Sequence, residues 1–196
     1  IGLADVSDSL LAVKKAVFDD RKASMRELKR ALDRNFENDA ELRAYLVNRA
    51  PKFGSGNPEA LELTGRVARF THDTIASHTN FRGGRYTTGF WSMSNHVAFG
   101  SLAGALPSGR PAGKPFTPGL TPEPCASDNL LDPIRDVASL DPRCMNNNIA
   151  FNVKVVPGAS DTRAVTVDRM FSYVKTYFDL GGMQMQMNVV TSDTLR

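Results

Sequence analysis

The chain has 196 residues, 41% of them hydrophobic, and a formal net charge of +3, a balance that suits a globular core and argues against a disordered chain. Basic and acidic residues are interspersed along its length, so no basic footprint marks a nucleic-acid partner. No apolar run approaches a membrane span and no secretory leader opens the sequence, so neither a membrane nor a secreted setting is expected.

Residues 7–80 carry the periodicity of helices. Ser7 or Asp8 can cap the first, with Leu10, Val13 and Val17, joined by Leu11 and Phe18, on its buried side. Ser24 and Glu27 have the spacing of a capping box, and Leu28, Leu32 and Phe36 recur on one face behind it. Leu42, Tyr45 and Leu46 predict a third helix that closes before Pro51. Asn57 as cap and Pro58 at the first helical position start a fourth, through Leu63, Val67, Phe70 and Ile75. Gly83-Gly84 breaks the pattern, and Tyr86 to Met93 predicts a strand interrupted by Gly89.

The run from Gly100 to Pro115, with Gly119 just beyond, mixes glycines, prolines and the apolar Leu102, Ala105 and Leu106 around Arg110. Proline fixes φ and glycine reaches angles closed to other residues, so this composition specifies one irregular path, unlike a flexible linker. Arg110 can either bind an anionic group or, as the favoured reading, donate to carbonyls that hold the loop together. Residues 134–140 fit a short helix or a strand. Ile149, Phe151, Val153 and Val155 alternate with polar or small neighbours and predict a strand. A helix over 165–180 ends at Gly181-Gly182, and Met183 to Val190 is a further strand, so the segment reads as a βαβ unit with a parallel pair. That last strand puts Met183, Met185, Met187 and Val189 on one side and Gln184, Gln186 and Asn188 on the other, which fits either a wet edge or a polar barrel lumen.

Few residues suggest chemistry. His96 is expected to be structural, and His72 and His78 carry no assignment. Phe90 and Trp91 should face opposite ways, with Trp91 a candidate for lining a pocket. Cys125 and Cys144 show no metal-ligand spacing, and two thiols without a leader favour a reduced, cytoplasmic setting. The start at Ile1 and the stop at Arg196 after an apolar run suggest a piece of something longer.

Several segments together resemble the glycyl radical enzymes, the pyruvate formate-lyase-like superfamily. Gly2-Leu-Ala-Asp-Val-Ser-Asp-Ser-Leu-Leu-Ala-Val-Lys-Lys15 is similar to the family helix GLANVADSLAAIKK, and Asn48-Arg-Ala-Pro-Lys-Phe-Gly54 to its NKAPKYGN turn. Arg82-Gly-Gly-Arg-Tyr86 leads into a strand ending Ser94-Asn-His-Val-Ala-Phe-Gly100, followed by Gly104-Ala-Leu-Pro-Ser-Gly-Arg110. Gly181-Gly-Met-Gln-Met-Gln-Met-Asn-Val-Val190 resembles GGxHVQFNVV, and Thr194-Leu195-Arg196 follows where the family continues toward its radical glycine.

The resemblance implies an α/β fold, part of a ten-stranded α/β barrel, with residues 1–80 as its helical segment and 81–196 as strands, loops and the βαβ unit of the same domain. It implies a glycine-centred radical installed by an activating enzyme that uses an iron–sulfur cluster and S-adenosylmethionine, a homodimer, and radical cleavage of a C–C, C–O or C–S bond in a small substrate. Gly119 to Glu123 aligns with a family loop that approaches substrate in some dehydratases, which makes Leu120, Thr121, Pro122 and Glu123 the candidate substrate residues beside Trp91. The sequence departs from the family after that loop, where Cys125-Ala-Ser-Asp-Asn-Leu-Leu-Asp132 replaces glycine-rich residues. No RVxGY-like radical loop occurs, and neither Pro124-Cys125-Ala126 nor Arg143-Cys144-Met145 matches the Gly-Cys thiyl loop. No catalytic residue is therefore assigned within the chain, and alone it is expected to be inert. A non-catalytic scaffold derived from the family and a radical addition that forms substituted succinates are the alternatives.

Overall fold

The computed structural model describes residues 1–158 and 160–190; Thr194, Leu195 and Arg196 lie outside the described residues. Four helices open the fold: α1 (Leu3–Val13), α2 (Met25–Asp33), α3 (Ala40–Arg49) and α4 (Pro58–Ala76). Then come β1 (Gly89–Phe90), α5 (Asn95–Leu102), α6 (Leu131–Ala138), β2 (Asn148–Ile149), β3 (Phe151–Val155), α7 (Arg163–Asp179) and β4 (Met185–Val189).

Local signals set most helix starts. The Glu27 N–H donates to Ser24 Oγ at 3.2 Å while the Ser24 N–H donates to Glu27 Oε2 at 2.8 Å, closing the capping box of α2. Asn57 Oδ1 accepts from the N–H groups of Glu59 and Ala60, and Pro58 supplies a pre-set φ where no donor is needed. At α1 the expectation fails. Its cap is Gly2, and Ser7 and Asp8 are buried inside the helix. The buried stripe runs through Leu3, Ala4, Leu11 and Ala12, while Leu10 and Phe18 are exposed. The chain continues beyond α1 as a π-helical turn, Lys14–Asp19.

The strands pair in parallel. β1 joins β2 with Gly89 opposite Asn148 and Phe90 opposite Ile149, and β3 joins β4 from Phe151 opposite Met185 to Val155 opposite Val189. Only Ala150 separates β2 from β3, and its N–H donates to the Phe90 carbonyl at 3.2 Å, so one extended run serves both partners. With α7 between β3 and β4 the C-terminal part is a βαβ unit. In β3 the alternation is realised: Phe151, Val153 and Val155 are buried, Lys154 is exposed, and Phe151 packs its ring 5.5 Å from that of Tyr177 on α7. In β4, Met185 and Met187 are half-buried and Gln186 exposed.

Two expectations need correction. Of the strand predicted over Tyr86 to Met93, only Gly89 and Phe90 pair, because Asn148 and Ile149 are the neighbours within reach. The segment Ser94 to Gly100 is not the end of that strand: Ser94 caps α5 and Asn95 to Gly100 lie within it, with the Ser92 hydroxyl accepting from the His96 N–H at 3.1 Å near its start. Residues 134–140, which fit either state, belong mostly to helix α6.

Two apolar clusters form the core. One gathers Leu3, Phe53, Phe90, Leu120, Phe151 and Tyr177, so it draws from both ends of the sequence. The other joins Ala12 and Ala16 to Leu28, Phe36 and Leu46 of the helical region. α1 contributes to both.

Candidate functional site

The glycine- and proline-rich loop is organised by one side chain. Arg110, 6% exposed, donates through Nε to the Pro115 carbonyl at 3.3 Å, through Nη1 to Gly104 at 2.9 Å, and through Nη2 to Gly100 at 2.8 Å and to Lys114. Its guanidinium also lies 4.4 Å from the centre of the Phe116 ring. Four carbonyls of this glycine- and proline-rich path are thus gathered on a planar, permanently charged fork. Arg110 takes the carbonyl-binding role of the two open to it.

The following segment, 117–123, is fastened on three sides. On the α1 side, Asp5 Oδ2 accepts from the Thr117 N–H at 2.7 Å and from its hydroxyl at 2.5 Å. On the strand side, the Leu120 N–H donates to the Ala150 carbonyl at 2.9 Å, and Thr121 Oγ1 accepts from the Asn152 N–H at 2.9 Å. Gly119 sits at φ 58° with its α-carbon against that same carbonyl, where a Cβ would collide with Ala150 O. On the third side Pro122 lies over Gly54 of the turn between α3 and α4. That turn is itself held by carboxylates: Asp8 Oδ1 accepts from the Phe53 N–H at 2.8 Å, and Asp136 Oδ2 from the Gly54 and Gly56 N–H groups at 2.9 and 3.1 Å.

This places the sequence-derived candidates individually. Leu120 is in the core, Thr121 is half-buried against β3, Pro122 is buried on the turn, and Glu123 is half-buried beside Asp5, Lys52 and Arg110. Trp91 is 44% exposed, one residue after core Phe90. Residues 120–123 are therefore contiguous on one clamped loop, and β1, which precedes Trp91, meets that loop at Gly119, close to the Phe90 carbonyl. A groove of about 380 Å³ between α1 and the glycine-rich loop is lined by Asp5, Ser9, Val13, Leu106 and Phe116 among others. None of the five candidates borders it.

Burial dominates the electrostatics. Desolvation pushes the Asp8 carboxyl up from 3.8 to about 7, against the pull of the Phe53 N–H and Lys52. Burial also raises Glu123, with Asp5 adding repulsion and Lys52 and Arg110 opposing. Asp136 is raised by burial despite its two backbone donors. Sequence reasoning missed Asp5, Asp8, Lys52 and Asp136 as buried groups. The available signal was that Asp5 and Asp8 share a helical face with Ala12 and Ala16, so two acids interrupt a stripe of small residues. Cys125 is exposed and Cys144 buried, both unpaired. Among the described residues no group of three or more His, Cys, Asp or Glu is placed to hold a metal, and no helix is long and apolar enough to cross a membrane.

An arginine-knotted loop feeding a clamped segment onto parallel strands is the local design, and comparison with known proteins shows where it belongs. Residues 1–100 match the family model described as pyruvate formate lyase-like, and residues 116–196 match that described as glycine radical. The chain belongs to the pyruvate formate lyase-like family. Among its relatives, trans-4-hydroxy-L-proline dehydratase of Clostridioides difficile is 29% identical over the whole chain and 25% of its own length. Isethionate sulfite-lyase of Bilophila wadsworthia is 30% identical over the whole chain and 24% of its own. The glycerol-bound B12-independent glycerol dehydratase from Clostridium butyricum superposes with a TM-score of 0.90 at 36% identity, covering 99% of this chain and 25% of that one. The chain thus spans about a quarter of the length of the relatives it matches.

Proposed function

We propose that the protein carrying this chain is a glycyl radical enzyme that cleaves a C–C, C–O or C–S bond of a small substrate. The observation that carries the reading is the succession of the two family matches along one chain, in line with relatives named as dehydratases and a sulfite-lyase. On this reading the two parallel strand pairs contribute to a ten-stranded α/β barrel whose enclosure shields a radical from solvent. The radical sits on a glycine and is installed by an activating enzyme with an iron–sulfur cluster and S-adenosylmethionine. The enzyme works in the cytoplasm as a homodimer.

In this role the chain's residues position and exclude water. We assign Leu120, Thr121, Pro122, Glu123 and Trp91 to the border of the substrate site, with Leu120 and Pro122 anchoring the loop and Thr121, Glu123 and Trp91 meeting substrate. Anaerobic incubation of the protein with such an activating enzyme should give a glycine-centred doublet in electron paramagnetic resonance. A fully reconstituted activation that yields no such signal would refute the radical reading and favour a scaffold derived from the family. Glu123→Gln and Trp91→Ala should leave the doublet intensity unchanged while altering KM or kcat for the substrate found by screening small alcohols, sulfonates and acids. Unchanged kinetics in both would remove these residues from the site.

A further inference from the structure

Three carboxyl groups meet under the clamped loop. Asp5 and Asp8 of α1 are 2% and 0% exposed, and Glu123 at the end of the loop faces both. Asp5 satisfies its Oδ2 with two donors from Thr117, and Asp8 satisfies its Oδ1 with the Phe53 N–H. Asp5 Oδ1, Asp8 Oδ2 and the hydroxyl of buried Ser108 have no hydrogen-bond partner among the described residues. Two side-chain cations face the cluster. Lys52 is buried with Nζ 3.4 Å from the Ser108 carbonyl, and Arg110 gives its donors to the four carbonyls of the glycine-rich loop.

Ionised Asp5 and Asp8 in so enclosed a space, with half-buried Glu123 beside them and only the Lys52 side-chain ammonium to answer all three, would leave a charge neither solvated nor paired. Adding one proton removes the imbalance and turns an orphaned acceptor into a donor. From this geometry we infer that Asp5, Asp8 and Glu123 form a buried proton-binding site whose bound proton resides on Asp8 Oδ2. Asp8 is the host because its side chain is fully buried and keeps one oxygen unpaired, whereas Glu123 is half-buried. The high-lying carboxyl of Asp8 is consistent with this placement. The site shares Glu123 with the proposed substrate border, but its proton is read in the unactivated protein, so its test stands or falls apart from that of the proposed reaction.

Infrared difference spectroscopy of the unactivated protein, with carbon-13 in its aspartate carboxyls, reads the proton directly. At pH about 6, below the level to which burial lifts the group, wild type should show the C=O stretch of a protonated aspartic acid. Asp8→Asn should lose it, and the exposed control Asp128→Asn should keep it. Asp8→Asn retains the acceptor for the Phe53 N–H. Should it nevertheless fail to fold, Glu123→Gln carries the test: with one like charge gone, the band should persist but titrate away at a lower pH than in wild type. A band that survives in Asp8→Asn, that is absent at every pH in Glu123→Gln, that titrates identically in Glu123→Gln and wild type, or that is missing from wild type overturns the assignment.

Discussion

Replacing Arg110 by lysine keeps the positive charge but removes the fork that reaches four carbonyls. A lysine ammonium can serve one or two of these acceptors from a single point, so two or more charge-assisted bonds are lost, each contributing about 1.5–3 kcal/mol. The guanidinium's stacking on Phe116 at 4.4 Å is lost as well. The local opening free energy of the loop should therefore fall by about 3 kcal/mol. Hydrogen exchange reads this segment by segment. The Gly113 and Phe116 amides, which donate to the Ala103 and His96 carbonyls at 3.0 Å each, should exchange roughly 100-fold faster. The Phe151 amide, bonded across the strand pair to the Gln184 carbonyl at 3.3 Å, should hardly change. An acceleration below about tenfold at Gly113 and Phe116 would refute the reasoning, since tenfold corresponds to only about 1.4 kcal/mol. Equal acceleration at Phe151 would do so too, by showing a global effect.

Other substitutions test other contacts. Gly54→Ala places a Cβ into the Pro122 ring at a φ of 87°, and should cost about 2–3 kcal/mol in denaturant unfolding. Ser24→Ala opens the capping box of α2 and should cost about 1 kcal/mol by the same measurement. Asp8 makes stability depend on pH. Burial lifts its carboxyl from 3.8 to about 7, so the native state holds the proton more tightly than the unfolded chain does. Its contribution is fully present below pH about 4 and is lost as pH rises through about 7, a total of at most about 4 kcal/mol. The unfolding midpoint of Asp8→Asn should gain on wild type across that window, and a difference independent of pH would contradict the account.

What the sequence made legible was local. Ser24 with Glu27, Asn57 with Pro58, and the alternation from Ile149 to Val155 each encode their element within a few residues, and each forms as expected. Arg110 was readable because a guanidinium amid prolines and glycines has carbonyls to answer. α5 was misread because its apolar Val97, Phe99 and Leu102 are exposed in the described structure, so no burial periodicity marks the helix. The buried role of Asp5 and Asp8 was illegible for another reason: near the start of a helix an acid looks like a cap, and the residues that make these two core groups lie far away in the chain. Asp136 likewise holds a turn about eighty positions earlier.

Those separations bear on the order in which the molecule is completed. Asp8 waits for Phe53, 45 residues on, and Asp5 for Thr117, 112 residues on, while the Gly54 turn waits 82 residues for Asp136. During vectorial synthesis α1 leaves the ribosome before any of these partners exists, and its two acids remain hydrated and charged. Closing such long loops costs entropy that only the finished contacts return. Made before its partners, α1 is therefore among the last of these elements to be seated, and it can lose its water only once the segment from Thr117 to Asp136 has arrived to receive it.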